Sequence, residues 1–170
     1  MDRLDPHQLQ VSGTSGDDHY EFEQIDPTTI AVHTIQRNGV AVGTSNNYLD
    51  VGAGILAYGG GNDSFDATAL TDSAITVYGG GGNDTLRGGG TSDQLFGEDD
   101  VDHIFGGLGN DQVDGGDGAD VLYGEWENPS NGIVYGTDTL IGGEGNDTIY
   151  GVGTVAREPA IVSKAMPATT

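Results

Sequence analysis

The chain has 170 residues, of which 31 are glycine, 27 are acidic and only 5 are basic, so that its formal net charge is −22. Nucleic acids and anionic membrane surfaces are bound by clustered Lys and Arg, which this chain lacks, so we expect neither as a partner. There is no cysteine, which excludes disulfides and thiolate metal sites, and no apolar run approaches the ~18 residues of a membrane span.

A composition this charged and this poor in apolar residues normally predicts disorder, because too little apolar surface is available to offset chain entropy. Disorder is avoided only if something neutralises the carboxylates and orders the glycines, and a metal ion would do both. The N-terminal residues contain no apolar segment of the kind found in a cleavable signal peptide, so we predict none.

The first predicted unit is a β segment over residues 1–57. Within it, Ile30–Gln36 and Val40–Val42 flank an Asn-Gly pair, which is a strong signal for a β-hairpin. Before the hairpin, residues Gly13–Glu21 (GTSGDDHYE) form a degenerate copy of the nine-residue block that fills the second unit.

The second predicted unit, residues 58–151, is built from a nine-residue repeat. From Gly79 five contiguous blocks read GGGGNDTLR, GGGTSDQLF, GEDDVDHIF, GGLGNDQVD and GGDGADVLY, and a further copy, GGEGNDTIY, starts at Gly142. Partial copies start at Tyr58 and Gly136. The sixth place of every full block is aspartate and the eighth is apolar, and we expect the apolar series to form the core. A repeat in constant phase predicts a solenoid.

Each block predicts one tight turn followed by one very short strand. Glycines at the first, second and fourth places allow positive φ and close approach of backbones, and the last three residues make a strand with one inward side chain. Two blocks complete one coil, so each turn stacks on the turn two blocks later. Asp84 is therefore expected near Asp102, which lies near Asp120, while Asp93 lies near Asp111 on the opposite edge.

Two departures interrupt the pattern. Glu98, Asp100 and Thr91 stand where other blocks have glycine, which predicts backbone strain in those turns. Residues Glu125–Tyr135 (EWENPSNGIVY) shift the pattern by nine residues without an aspartate at the expected place, so we interpret them as an excursion from the coils. If they formed another half-coil instead, Asp138 would move to the opposite edge.

The stacked turns need a cation, because carboxylates on neighbouring turns repel one another by up to ~3 kcal/mol per pair at an effective dielectric near ~20. Calcium fits best, since it takes about six to eight oxygens in flexible geometry and two neighbouring turns together offer enough of them. Magnesium prefers a strict octahedron. Zinc prefers His or Cys, and the histidines share no spacing: His7, His19, His33 and His103.

These blocks closely resemble the hemolysin-type calcium-binding (RTX) repeat. The resemblance implies an all-β, right-handed parallel β-roll in which each ion is shared between turns n and n+2. It covers roughly residues 58–151. The segment before it is similar to the wider β-coils that begin such arrays, and residues 152–170 are expected to form a flexible tail.

The resemblance also implies the ligands, namely aspartate carboxylates and carbonyls at the glycine positions, with about six Ca2+ ions in all if every stacked pair takes part. The carboxylate ligands implied are Asp63, Asp84, Asp93, Asp102, Asp111, Asp120, Asp138 and Asp147. The carbonyl ligands implied are Gly79, Gly80, Gly82, Gly88, Gly89, Gly97, Gly106, Gly107, Gly109, Gly115, Gly116, Gly118, Gly142, Gly143 and Gly145.

No catalytic motif such as H-E-x-x-H or G-x-S-x-G is present, so we expect no enzyme activity, and any catalytic domain would lie elsewhere in a parent protein. The leading hypothesis is a calcium-binding module of a secreted, extracellular protein that folds when it meets calcium outside the cell. The alternatives are an adhesin-type solenoid, for which the third place of the blocks offers no repeating face, and a polysaccharide-binding accessory module of an extracellular enzyme or toxin, for which basic residues are scarce.

Overall fold

The computed structural model describes residues 9–12, 14–26, 29–37, 40–49, 55–125, 136–151 and 161–163. These residues form β-strands and no helix, so within them no helix could cross a membrane. The strands are β1 (Leu9–Ser12), β2 (His19–Asp26), β3 (Thr29–Arg37), β4 (Val40–Leu49), β5 (Ile55–Gly60), β6 (Ser64–Ala69), β7 (Thr76–Gly81), β8 (Thr85–Arg87), β9 (Gln94–Asp99), β10 (His103–Phe105), β11 (Gln112–Gly118), β12 (Val121–Tyr123), β13 (Thr139–Gly145), β14 (Thr148–Tyr150) and β15 (Ile161–Ser163).

The strands are arranged in two sheets. One has seven strands in the order β1-β5-β7-β9-β11-β13-β15, and the other has eight in the order β14-β12-β10-β8-β6-β2-β3-β4. From β6 to β15 the chain alternates between the sheets, and each strand pairs in parallel with the strand two further along. The predicted all-β class is confirmed, and the parallel pairing is consistent with a β-roll of two strands per coil.

The core is one cluster of buried side chains to which both sheets contribute. Successive residues of a strand point to opposite faces, so the short strands β8, β10 and β12 bury their central residue. Each such residue contributes roughly 1.5–3 kcal/mol by leaving water. The eighth-place side chains that form this core are Phe65, Val77, Leu86, Leu95, Ile104, Val113, Leu122 and Leu140.

The N-terminal strands extend the eight-stranded sheet. β2, β3 and β4 pair antiparallel in chain order, which agrees with the predicted hairpin, although its turn residues 38–39 lie outside the described residues. β2 also pairs in parallel with β6. Because Asp18 directly precedes β2 and Asp63 directly precedes β6, this pairing brings the two aspartates together.

The coils keep their register across residues 126–135, which lie outside the described residues. β13 pairs with β11 and β14 with β12, so Asp138 follows Asp111 at the same edge, as the excursion interpretation predicted. Within the predicted tail, β15 pairs in parallel with β13. The boundaries of the three predicted units stay predictions.

Candidate metal centre

The residues between strands form two stacks of turns, one at each edge. The long stack comprises the turns that lead into the eight-stranded sheet, and the short stack comprises those that lead into the seven-stranded sheet. The sixth-place residues of the long stack are Asp18, Asp63, Asp84, Asp102, Asp120 and Asp147. Those of the short stack are Ile75, Asp93, Asp111 and Asp138.

A hydrogen-bond ladder connects the sixth-place residues of each stack. The backbone N–H of Asp84 donates to Asp102 Oδ1 at 2.8 Å, and that of Asp102 donates to Asp120 Oδ1 at 2.8 Å. The other links run from Asp18 to Asp63, Asp63 to Asp84, Ile75 to Asp93, Asp93 to Asp111, Asp111 to Asp138 and Asp120 to Asp147, at 2.7 to 3.1 Å. One oxygen of each accepting carboxylate is therefore used to hold neighbouring coils together.

In most of these aspartates the second oxygen, Oδ2, accepts no hydrogen bond, and we call such an oxygen open. It is buried and has no hydrogen-bond partner in Asp84, Asp102, Asp111, Asp120 and Asp147. Burial of a carboxylate oxygen without a donor is costly, because the water it loses is not replaced. Regularly spaced, buried oxygens that lack a proton donor are a suitable donor set for a hard cation such as Ca2+.

Glycine carbonyls lie beside these oxygens. A Cβ built on Gly79 would lie 2.8 Å from the Gly97 carbonyl and closer still to Asp84 Oδ2. The same arrangement holds for Gly97 with Asp102 Oδ2 and the Gly115 carbonyl, for Gly106 with Asp111 Oδ2 and the Gly124 carbonyl, and for Gly115 with Asp120 Oδ2 and the Gly142 carbonyl. In the described part of the chain no group of three or more His, Asp and Glu side chains could hold a metal ion. Carbonyl oxygens are therefore needed to complete a coordination shell.

The predicted glycines have distinct roles by place. First-place glycines leave room for the carboxylate of their own turn. Positive φ, which the turn requires and glycine tolerates, occurs at the second and fourth places in Gly80, Gly82, Gly107, Gly109, Gly116, Gly143 and Gly145. Gly89 and Gly118 do not have it, so the turns are not all alike.

Burial raises the pKa of the stacked aspartates. Burial is opposed by the hydrogen bond from the Asp84 backbone and reinforced by neighbouring negative charges, and together these raise the pKa of Asp102 to about 8. Burial is also the first cause of the raised pKa of Asp63 and Asp93 (about 6), Asp84 (about 7), Asp111 (about 8), Asp120 and Asp138. The ionised form of these carboxylates is disfavoured unless a cation shares the site.

In Asp93, as in Asp18, the turn itself supplies a donor to Oδ2. The N–H of Gly89 donates to Asp93 Oδ2 at 2.7 Å. Gly89 lacks the positive φ of the second-place glycines Gly80, Gly107, Gly116 and Gly143, and Thr91 replaces the fourth-place glycine of the same turn. The Oδ2 of Asp93 is therefore hydrogen-bonded by its own turn and is not open.

Asp18 lies in the long stack although it was not among the predicted ligands. It is 2% exposed, and its N–H donates to Asp63 Oδ1 at 2.7 Å. Its own carboxylate accepts hydrogen bonds from the backbone and hydroxyl of Thr14. Asp18 thus ends the stack with protein donors at its N-terminal side. The degenerate copy Gly13–Glu21 already placed this aspartate at the sixth position.

The predicted strain at the GEDDVD turn is present. Glu98 has a φ of 79° and Asp100 a φ of 76°, a region that costs a non-glycine residue on the order of 1 kcal/mol. Their carbonyls still approach the next coil, because a Cβ on Gly116 would meet the Glu98 carbonyl and one on Gly118 would meet the Asp100 carbonyl. The turn keeps the carbonyl positions of the repeat at the expense of backbone strain.

A second ladder runs along the fifth place with the opposite polarity. The N–H of Asn83 donates to Asn62 Oδ1 at 2.8 Å, and the N–H of Val101 donates to Asn83 Oδ1 at 3.0 Å. In the short stack the N–H of Thr137 donates to Asn110 Oδ1 at 2.7 Å. Here the donor lies in the later coil, whereas in the aspartate ladder it lies in the earlier one. The two ladders together fix the spacing of the turns.

Parallel coils with two stacks of buried carboxylates define a class of protein, a β-roll whose turns suit a hard cation. A family model for the RTX calcium-binding nonapeptide repeat matches residues 76–104, 96–128 and 134–151, with 4 copies. These stretches therefore match the RTX calcium-binding repeat, as the resemblance implied. Such repeats bind Ca2+, form a structural, non-catalytic module and are typical of secreted proteins. Searches of curated proteins and of solved structures found no match to the chain.

Proposed function

We propose that this chain is the calcium-binding module of a secreted protein, and that it folds when it binds Ca2+ outside the cell. The observation that carries the proposal is the set of buried Oδ2 atoms without a partner in both turn stacks. Most of them lie beside a glycine carbonyl of the next coil. A cation that meets both oxygens would remove the cost of burying an open carboxylate oxygen.

The ions in this proposal lie between consecutive turns of a stack, in a right-handed roll, the hand that parallel connections favour. Their ligands are the predicted aspartates together with glycine-place carbonyls of the two turns. The pairs in which an open Oδ2 faces a carbonyl of the next coil are Asp84–Asp102, Asp102–Asp120, Asp120–Asp147 and Asp111–Asp138. We expect these pairs to fill before the others predicted from the sequence.

Calcium would act on folding through the charge of the stacks. At a net charge of −22 the chain without calcium is soluble and repels itself, and the raised pKa values show how poorly the folded stacks accommodate ionised carboxylates. A divalent ion replaces this repulsion with attraction, so the free energy of binding becomes free energy of folding. The chain would then stay unfolded at cytosolic calcium and fold at millimolar external calcium.

Far-UV circular dichroism of the full chain tests the proposal. With a chelator present we expect a spectrum dominated by unfolded chain, and with millimolar Ca2+ we expect a β spectrum that the chelator reverses. The same β spectrum at equal intensity in chelator and in calcium would contradict folding on binding, and magnesium at the same concentration is the matched control.

The polysaccharide-binding alternative has no specific observation in its favour. Three aromatic rings do form a row, since the buried Phe105 stacks on Tyr123 with ring centroids 4.8 Å apart and Tyr123 stacks on Tyr150 at 4.7 Å. Rings that stack on one another cover the faces that a sugar would need. We therefore interpret the row as a packing contact between successive coils.

A further inference from the structure

One turn of the roll departs from the repeat at two linked places. It lies between β6 and β7 and carries Ile75 at the sixth place, so its first place, five residues earlier, is Leu70. In the aspartate turns a Cβ on the first-place glycine would collide with the sixth-place carboxylate, as Gly97 would with Asp102 Oδ2. A side chain at the first place therefore fits only where the sixth place has no aspartate. Leu70 and Ile75 replace glycine and aspartate together, which exchanges a turn lined by oxygens for an apolar one.

Both replacements are buried in the core. Leu70 is 0% and Ile75 2% exposed, and both belong to the buried apolar cluster. Among the described residues, each strand from β8 to β13 adds one side chain to this cluster. The N-terminal end of the roll adds seven, namely Tyr20, Phe22, Phe65, Ala67, Leu70, Ile75 and Val77. Burial of apolar surface, which needs no ion, is therefore concentrated at this end.

Backbone hydrogen bonds join this apolar turn to the next turn of the short stack, which carries Asp93. The N–H of Ile75 donates to Asp93 Oδ1 at 3.0 Å, and the N–H of Gly90 donates to the Leu70 carbonyl at 2.7 Å. The second oxygen, Asp93 Oδ2, accepts the N–H of Gly89 at 2.7 Å. Both oxygens of Asp93 thus accept backbone N–H groups, which favours the ionised carboxylate.

Asp111, the next sixth-place residue of the same stack, provides the contrast. Its Oδ2 is buried without a hydrogen-bond partner, and it follows Asp93, so carboxylates stand on two neighbouring turns. Asp93 follows Ile75 instead, and no sixth-place carboxylate precedes it to repel its charge. The junction between the apolar turn and the Asp93 turn is therefore complete without a cation.

We propose that residues 62–95 form an N-terminal cap that is ordered without calcium, and that the later coils add to this cap as they bind Ca2+. The inference rests on the proposed function, because it assumes that the later turns need Ca2+. Asp84 marks the border, since its open Oδ2 lies beside the carbonyl of Gly97, just beyond the cap. An ordered cap offers β8 as the edge with which β10 pairs. The cap is a small part of the 170 residues, so the spectrum in chelator is still that of a mostly unfolded chain.

Hydrogen exchange of the full chain, followed by mass spectrometry in chelator and at a series of buffered Ca2+ concentrations, tests this order of folding. In chelator we expect peptides within residues 62–95 to exchange at least about tenfold more slowly than an unfolded chain. Peptides within residues 97–124 and 136–150 should exchange at the unfolded rate until Ca2+ is added.

Two variants test whether the apolar turn is the cause. The double variant Leu70→Gly/Ile75→Asp restores the residues of the repeat, so it should lose the protection of residues 62–95 in chelator and regain it in millimolar Ca2+. Leu140→Ala is the control, because Leu140 is as deeply buried but lies in a later coil. It should leave the protection of residues 62–95 in chelator within about twofold of the wild type.

The outcomes separate this inference from the proposed function. If no peptide of the wild type gains protection from Ca2+, folding on binding is overturned and the cap with it. If residues 62–95 gain protection only together with the later coils, the cap is overturned while folding on binding stands. Protection in chelator that survives in the double variant, or that Leu140→Ala removes, contradicts the cap as well. If the double variant does not fold even in saturating Ca2+, Leu70→Ala decides: loss of protection in chelator supports the cap, and retained protection contradicts it.

Discussion

The two turn stacks arise from one nine-residue pattern, yet they use their carboxylates differently. The long stack leaves Oδ2 buried without a partner in Asp84, Asp102, Asp120 and Asp147. In the short stack Ile75 stands at the first sixth place, and Asp93 accepts the N–H of Gly89 on its Oδ2. Of the described residues in that stack, Asp111 has a buried Oδ2 that lacks a partner. The difference depends on whether a backbone donor reaches the second carboxylate oxygen.

This difference suggests that the two turn stacks depend on calcium to different degrees. A turn that satisfies its own carboxylate is stable without an ion, whereas a turn with an open, buried oxygen is stable only when a cation is present. We therefore expect the long stack to carry most of the calcium dependence of folding. The short stack should depend on calcium mainly at its C-terminal end, beside Asp111.

The largest effect is expected from Gly97→Ala in the long stack. A Cβ at this position would collide with Asp102 Oδ2 and with the Gly115 carbonyl, so the carboxylate and the next coil must move apart. We expect the free energy of unfolding in saturating Ca2+ to fall by about 3 kcal/mol, measured by chemical denaturation. Gly81→Ala is the control, because no atom lies within 4 Å of its Cβ position, and it should change stability by less than ~1 kcal/mol. Equal losses would show that the space beside Asp102 Oδ2 does not matter.

The next effect compares Asp102→Asn with Asp93→Asn. Asparagine at position 102 keeps an acceptor for the Asp84 N–H but removes the negative charge whose second oxygen, Oδ2, has no protein donor. Calcium affinity should therefore fall more than about tenfold, while the β signal in chelator rises. At position 93 the amide faces the N–H groups of Gly89 and Ile75, so stability in chelator should fall by about 1–3 kcal/mol with a smaller change in affinity. Calcium titrations measure the affinities. Denaturation in chelator measures the stabilities when an osmolyte such as sucrose is present, because the osmolyte favours the folded state of a chain that is otherwise mostly unfolded there. Changes of the same sign in chelator would contradict the contrast between the stacks.

A smaller effect is expected from pH in the absence of calcium. The folded-state pKa values of Asp102 and Asp111 are about 8 and that of Asp84 is about 7, above the ~3.8–4 of an unfolded aspartate. Between these limits the folded chain holds protons that the unfolded chain has released, so its free energy of unfolding falls as pH rises. The β signal in chelator should therefore be stronger at pH 5 than at pH 8. A stronger signal at pH 8 would reverse the sign and contradict the burial of ionisable oxygens in the stacks.

The smallest effect is expected in the fifth-place ladder, which both stacks share. Asn83→Ala removes the acceptor of the Val101 N–H, and Asn110→Ala removes that of the Thr137 N–H. Each should lower the free energy of unfolding in Ca2+ by about 1 kcal/mol, because water replaces part of the lost bond. Similar losses in the two variants would show that this ladder holds both stacks alike. A loss above ~3 kcal/mol in one of them would indicate a further role there.

The sequence allowed the register of the coils to be predicted, because a strict phase leaves one way to stack the turns. It placed Asp84 beside Asp102, and it placed Asp138 after Asp111 because no aspartate falls between Asp120 and Asp138 at the expected spacing. Asp18 could have been included, since a degenerate block carries it at the sixth place. Periodicity was sufficient wherever a residue's position follows from counting.

The backbone angles of individual turns and the burial of individual side chains could not be predicted from the position of a residue in its block. The hydrogen bond from the Gly89 N–H to Asp93 Oδ2 accompanies a φ at Gly89 that another second-place glycine, Gly107, does not adopt. The sequence does not distinguish these two glycines, because both stand at the same place of their blocks. Glu125 stands where the repeat is lost, so its burial does not follow from the spacing of the blocks. Glu98 shows that the same residue at the same place can instead be exposed.

A crystal structure of the calcium-saturated chain, with anomalous differences recorded at long wavelength, tests the central claim most directly. We predict calcium peaks between successive turns of the long stack, about 2.3–2.6 Å from Oδ2 of Asp84, Asp102 and Asp120, and a further peak beside Asp111. Calcium bound elsewhere, with these oxygens still buried and without a cation, would contradict it.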